Sequence, residues 1–184
     1  FNAATGNRFT GLVTLNPGAI WTATTGTINF RGGLTNNGTT FTSGTGAYTV
    51  TTTAQAFNGG SPIVISTLTV TTVALTNNAN LTAATALGGT GSLVNAATGI
   101  LNLGGTSTIT TLTASAIGNT VNYTGAAAQT VRPIAYHHLG LSTSGIKTMT
   151  GVNVIAGNLS IAGTATMTGN AAFTVAGALN YSSA

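Results

Sequence analysis

The side chains best placed to move a proton near neutral pH are His137 and His138, adjacent in Ala135-Tyr136-His137-His138-Leu139. Ser and Thr hydroxyls abound, and a histidine could activate one of them. A catalytic triad also needs a group to orient the imidazole, and these 184 residues contain no Asp or Glu. The same absence removes the paired carboxylates of glycoside hydrolysis and the Asp ligands of calcium-binding β-roll repeats. No Gly-x-Ser-x-Gly elbow and no Walker or dinucleotide fingerprint occurs; Gly44-Thr45-Gly46 opens toward a β-forming run. On a strand, neighbouring histidines are expected on opposite faces, unable to share one ion. The expectation is a chain without catalytic, cofactor-binding or metal-binding residues, and not an enzyme.

The rest of the ionic inventory is Arg8, Arg31, Arg132 and Lys147. Charged residues make up 2% of the chain, against about 25% in an ordinary globular domain. The sequence pI near 10.2 comes from four scattered cations. Phosphate backbones are bound by several converging cations, so no nucleic-acid partner is expected. Disordered chains combine low hydropathy with high charge. This one has a mean hydropathy of +0.39 and 42% apolar residues, enough to bury a core. Cysteine is absent, and no apolar run reaches the eighteen or so residues of a membrane-spanning helix, so no transmembrane segment is expected. The start at Phe1 suggests a processed product or a fragment; Thr5 stands where a type IV pilin carries an acidic residue.

Any site must be positioned by strands. Gly is frequent, β-branched Thr, Val and Ile dominate, and the charged helix formers are nearly missing. Short runs alternate apolar and polar residues, among them Ile28/Phe30, Ile63/Ile65, Leu101/Leu103, Val152/Val154 and Phe173/Val175. Asn36-Asn37-Gly38, Gly88-Gly89-Thr90-Gly91 and Gly104-Gly105 punctuate them as turns.

The spacing of these runs predicts the fold. A step of twenty residues visits Phe1, Trp21, Phe41, Ser61, Leu81, Leu101, Val121, Leu141, Ile161 and Tyr181, all large and apolar except Ser61. Leu139, Leu159 and Leu179 form a second series, and Val152/Val154 answers Phe173/Val175 at twenty-one. Fixed self-similarity marks a repeat architecture. The expected fold is all-β: a right-handed parallel β-solenoid (β-helix) of about 20-residue rungs, one domain over 1–184, with a β-sandwich as alternative. Phe41, Leu81, Leu101, Val121, Leu141 and Ile161 are the expected core ladder. Thr and Ser should face outward, and Asn at turns should form ladders between rungs.

Two stretches resemble a known repeat. Residues 33–55, GLTNNGTTFTSGTGAYTVTTTAQ, and 121–161, VNYTGAAAQTVRPIAYHHLGLSTSGIKTMTGVNVIAGNLSI, resemble units of large bacterial surface proteins. Ala54-Gln55 and Ala128-Gln129 are matching points of two degenerate copies. The chain is thus similar to filamentous-haemagglutinin and autotransporter-passenger β-helices, which implies a secreted, adhesive or structural protein. Those repeats carry no catalytic motif to transfer.

The functional expectation is an extracellular or cell-surface structural protein, a homopolymer forming a filament or surface layer through its β-edges. Residues 1–15 are the expected strand-donor or docking segment. Phe1, Phe9, Val13, Leu15, Trp21, Leu179 and Tyr181 are the candidate assembly residues. The alternative is a monomeric adhesin contacting a surface or glycan through its Thr-rich face. Ice binding through Thr22/Thr24, Thr49/Thr51 and Thr69/Thr71 is a minor alternative. Asn37, Asn80, Asn122, Asn158 and Asn180 each begin an Asn-x-Ser/Thr sequon.

Overall fold

A computed structural model describes residues 2–3, 6–169 and 172–183; Phe1 lies outside the described residues. The chain winds through about nine turns of a parallel β-solenoid. The first rung is β1 (Asn2–Ala3), β2 (Asn7–Phe9) and β3 (Val13–Leu15). Next come β4 (Ile20–Ala23), β5 (Ile28–Phe30) and β6 (Leu34–Asn36), then β7 (Thr40–Thr42), β8 (Ala47–Val50) and β9 (Gln55–Asn58). The fourth and fifth rungs use longer strands that turn a corner, β10 (Ile63–Val70) and β12 (Asn80–Gly88), with β11 (Ala74–Asn77) and β13 (Ser92–Asn95). The sixth is β14 (Ile100–Leu103), β15 (Thr106–Ser107) and β16 (Thr111–Thr113); the seventh is β17 (Thr120–Tyr123) and β18 (Gln129–Thr130). The last are β19 (His138–Leu141), β20 (Ile146–Thr148) and β21 (Val154–Ile155), then β22 (Leu159–Gly163), β23 (Thr166–Thr168) and β24 (Thr174–Val175), and finally β25 (Leu179–Ser183).

Period-two alternation places the core. In Ile28–Phe30 both apolar side chains are fully buried and Asn29 between them is not. The same pattern repeats through Leu101/Leu103 and Val121/Tyr123. Glycine supplies corners that other residues cannot: Gly89 has φ +110, and a Cβ there would come within 2.1 Å of the Val70 carbonyl oxygen.

Two inward ladders run side by side along the first face. One carries Ile63, Leu81, Leu101, Val121, Leu139, Leu159 and Leu179; the other carries Ile65, Ala83, Leu103, Tyr123, Leu141, Ile161 and Tyr181. The fixed step of twenty therefore crosses from one ladder to the other. The rung after Val121 is eighteen residues long, so Val121 pairs with Leu139 and Leu141 stacks over Tyr123. Phe41 pairs with Trp21, and both Phe41 and Ile161 are half-buried. The Val152/Val154 alternation also fails in detail. Val154 pairs with Thr174 and is exposed, and Ile155 is the buried residue that meets Val175.

The N-terminal third has an aromatic core. Trp21 stacks on Phe41 with ring centroids 5.7 Å apart and packs near Phe9 and Phe30. Its indole N–H donates to the Tyr48 hydroxyl at 2.9 Å, which satisfies both buried polar groups.

Candidate functional site

The most irregular place in the solenoid lies where one column of strands gives way to another. β8, β10, β12 and β15 stack in register, but among the described residues no strand pairs with the far side of β15. β18, β20 and β23 form a separate sheet beyond it. The intervening segment, Thr124-Gly125-Ala126-Ala127-Ala128, is made of small residues and links β17 to β18.

Two side chains do the work of the missing ladder. The Gln129 amide donates to the carbonyls of Leu103 and Gly105, both at 2.9 Å, and its Oε1 accepts the Gly125 N–H at 2.8 Å. The Arg132 guanidinium donates to the Ser107 and Thr110 carbonyls, each at 3.2 Å. Gln55 performs the same office four rungs earlier, accepting from Gly33 and donating to Phe30. The matching of Ala54-Gln55 with Ala128-Gln129 thus has a physical basis: each glutamine bonds the backbone at a corner.

Lys147 pairs in register with Gln129 and is fully buried. Its ammonium donates to Gln129 Oε1 at 2.7 Å and to the Gly125 carbonyl. Burial holds its pKa below the usual lysine value. Beside it, the Tyr123 and Tyr136 hydroxyls lie 3.0 Å apart. Arg132 N–H donates to Tyr123, and Tyr136 donates to the Arg132 carbonyl, both at 2.9 Å. Burial raises the pKa of both tyrosines. Outside this network the step leaves a cavity of about 420 Å³, bordered by Thr85, Thr106, Ser107, Ala128, Gln129 and Thr130. Reading the sequence as four scattered cations misses this cluster. The available signal is parity: Lys147 alternates with buried Met149, so it points inward.

Strand alternation predicts opposite faces for His137 and His138, but their rings meet edge-to-face with centroids 4.1 Å apart. His137 sits in the bend ahead of β19, where strand alternation does not apply. Each ring binds a different rung: His137 Nδ1 accepts from Gly118 N–H at 3.2 Å, and His138 Nδ1 from Asn158 N–H at 2.9 Å. Accepting at Nδ1 places the neutral ring's proton on Nε2. Burial and neighbouring His137 lower the His138 pKa. Nearby, Asn122 donates to Asn102 and Asn102 to Asn80, an outer amide ladder that stops at Gly140. A Cβ on Gly140 would come within 2.1 Å of Asn122 Oδ1.

The candidate assembly residues divide by burial. Leu179 and Tyr181 are 64% and 69% exposed although they continue the two inward ladders. Phe9 and Val13 are half-buried, while Leu15 and Trp21 are buried in the chain's own core. Leu15 is thus a core residue of the first rung, and Trp21 supports that rung from beneath. In the expected docking segment β1, β2 and β3 pair with β4, β5 and β6 of the same chain. Aligned Thr-x-Thr is confined to β8 and β10, where Thr49 pairs with Thr69; the next residue in that column is Gly88.

No family model, no curated protein and no solved structure matches the chain. Among the described residues no helix is long and apolar enough to cross a membrane.

Proposed function

We propose that this chain is an extracellular structural protein, a β-solenoid subunit that joins copies of itself end to end into a filament or surface layer. The observation that supports the reading is the continuous parallel stack, which adds one strand on another through backbone pairing and an inward ladder; at β25 that ladder carries Leu179 and Tyr181. Both stand at ladder positions that each rung from Ile63/Ile65 to Leu159/Ile161 fills with a side chain stacked on by the next. β25 pairs with β22 on one side, and no described strand pairs with its other side.

The first rung offers a surface of the same kind. Phe9 and Val13 are half-covered and Leu12 is 58% exposed. Docking β25 of one copy against the first rung of the next continues both the parallel ladder and the core. Such a head-to-tail contact does not close on itself, so it makes a fibre. With no Asp or Glu in the chain and Arg8 the one basic side chain in the first rung, charge repulsion hardly opposes it.

Negative-stain electron microscopy of the purified chain tests the reading. Uniform thin fibres are expected for the wild type, and the double variant L179D/Y181D should give short isolated rods. Fibres undiminished in that variant, or wild-type chains that stay monomeric at high concentration, would sink the end-to-end joint. The second reading, a monomeric adhesin on a surface or glycan, is favoured by the cavity at the β15–β18 step.

A further inference from the structure

We propose that the cavity between β15 and β18 is a binding site for an acidic sugar, a hexuronate unit carrying hydroxyls and one carboxylate. The cavity exists because the solenoid changes strand columns there, so it is a fixed recess in a stacked backbone. Its volume of about 420 Å³ falls in the range of small-ligand sites.

The lining selects for hydroxyls. Thr85, Thr106, Thr108 and Thr130 border the recess, and Ala127 and Ala128 leave its wall open. Each threonine hydroxyl both donates and accepts, as a sugar hydroxyl requires of its partner. Ser107 Oγ, at the same wall, is buried and has no hydrogen-bond partner.

The charge behind the lining selects for an acid. Two of the four cations in the chain are bonded directly to lining residues: Lys147 to Gln129 Oε1 and Arg132 to the Ser107 carbonyl. Neither is paired with a side-chain carboxylate, because the chain has no Asp or Glu. Lys147 is fully buried, so water screens its field weakly toward the recess. A carboxylate seated on the exposed Thr106 and Thr130 hydroxyls, in front of Gln129, meets that positive potential, and no Asp or Glu of the chain opposes it. The site lies on the flank of the rod, away from the terminal rungs, so it does not rest on end-to-end assembly.

The test is calorimetric titration of the full chain, in its L179D/Y181D form if the wild type makes fibres. The probes are a galacturonate trisaccharide, the neutral galactose trisaccharide and acetate. The acidic trisaccharide is expected to bind about tenfold or more tightly than the neutral one, and acetate more weakly than either. Ala128 is exposed, so A128L fills the recess without touching the core and should abolish binding while leaving the melting curve unchanged. K147M should reduce the preference for the acidic sugar, since Met167 already occupies the next position of that ladder. Equal binding of both sugars, acetate binding as tightly as the acidic trisaccharide, or undiminished binding by A128L would overturn the proposal. So would no binding at millimolar ligand. Failure of fibre formation would leave this site standing, and failure here would leave the end-to-end joint standing.

Discussion

Asn77 donates a 2.8 Å hydrogen bond from Nδ2 to Oδ1 of Asn95, its register partner one rung on, with both side chains fully buried. Each amide also reaches across a corner: Asn77 to the Ile100 carbonyl, Asn95 to those of Gly99 and Thr120. Together they tie the third face of one rung to the first face two rungs on. Removing a buried donor leaves carbonyls without partners, at about 1–3 kcal/mol for each group stranded. Asn95→Leu should therefore destabilise the fold by about 3 kcal/mol. Asn102→Ala, which trims the half-exposed outer ladder, should cost under about 1 kcal/mol. Denaturant melts of both variants check the contrast; equal losses would remove the special role of the inner amides.

Acid stability follows from the missing carboxylates. Ordinary domains lose stability as paired Asp and Glu are protonated, and here none exists. His138 is the exception, since its folded pKa is depressed by burial and by His137. The unfolded chain then binds a proton that the folded chain refuses. Stability should fall as pH drops below the unfolded value of about 6.5, and level off once pH passes below the folded pKa. The fold should then persist to about pH 2 with no second loss. Melting temperatures over this range, with H138Q as control, should show one shallow step that the variant lacks. A cooperative collapse near pH 4 would contradict the account.

At high pH the signs differ between groups. Lys147 has a depressed folded pKa, so stability should rise with pH as its buried ammonium becomes neutral, up to the unfolded value of about 10.4. Tyr48, Tyr123 and Tyr136 are shifted upward by burial, so the folded chain keeps phenol protons that the unfolded chain releases above about pH 10. Their contribution is full below that pH and is lost above it. Melting temperature should climb slightly and then fall steeply past about pH 10. K147M should lack the climb and keep the fall.

Solenoid architecture was legible because alternation and a near-twenty period are both written in single residues. Leu81, Leu101 and Val121 stack as the period predicts. The crossing at Leu141 was not legible, because one eighteen-residue rung resets the phase without changing residue types. The ladder continues on a leucine either way. Trp21 was visible as an aromatic but not as a buried one, since its burial depends on Phe9, Phe30 and Phe41 from neighbouring rungs. The step at Gln129 was hidden for a similar reason. A glutamine that bonds the corner backbone and one that faces solvent look alike in sequence, and only the stacking of Lys147 upon it separates them.

Thr143 and Gly163 give the last prediction. Both hold left-handed backbone, with φ of 73° and 69°, at corners one rung apart. Glycine adopts this conformation freely, whereas a β-branched residue there costs about 1–2 kcal/mol. Thr143→Gly relieves that strain, but loosens the unfolded chain by about 0.5–1 kcal/mol, so the net gain should be small. Asn tolerates the left-handed region without glycine's entropy penalty, so Thr143→Asn should stabilise by about 1 kcal/mol and exceed the glycine variant. The reverse change at the next corner should be severe. A Cβ on Gly163 would lie 2.5 Å from the Thr143 carbonyl oxygen, which already accepts the Thr164 N–H. Gly163→Ala should cost about 2 kcal/mol or more by thermal melt. Should both Thr143 variants melt below the wild type, the corner threonine would be contributing a contact that outweighs its strain.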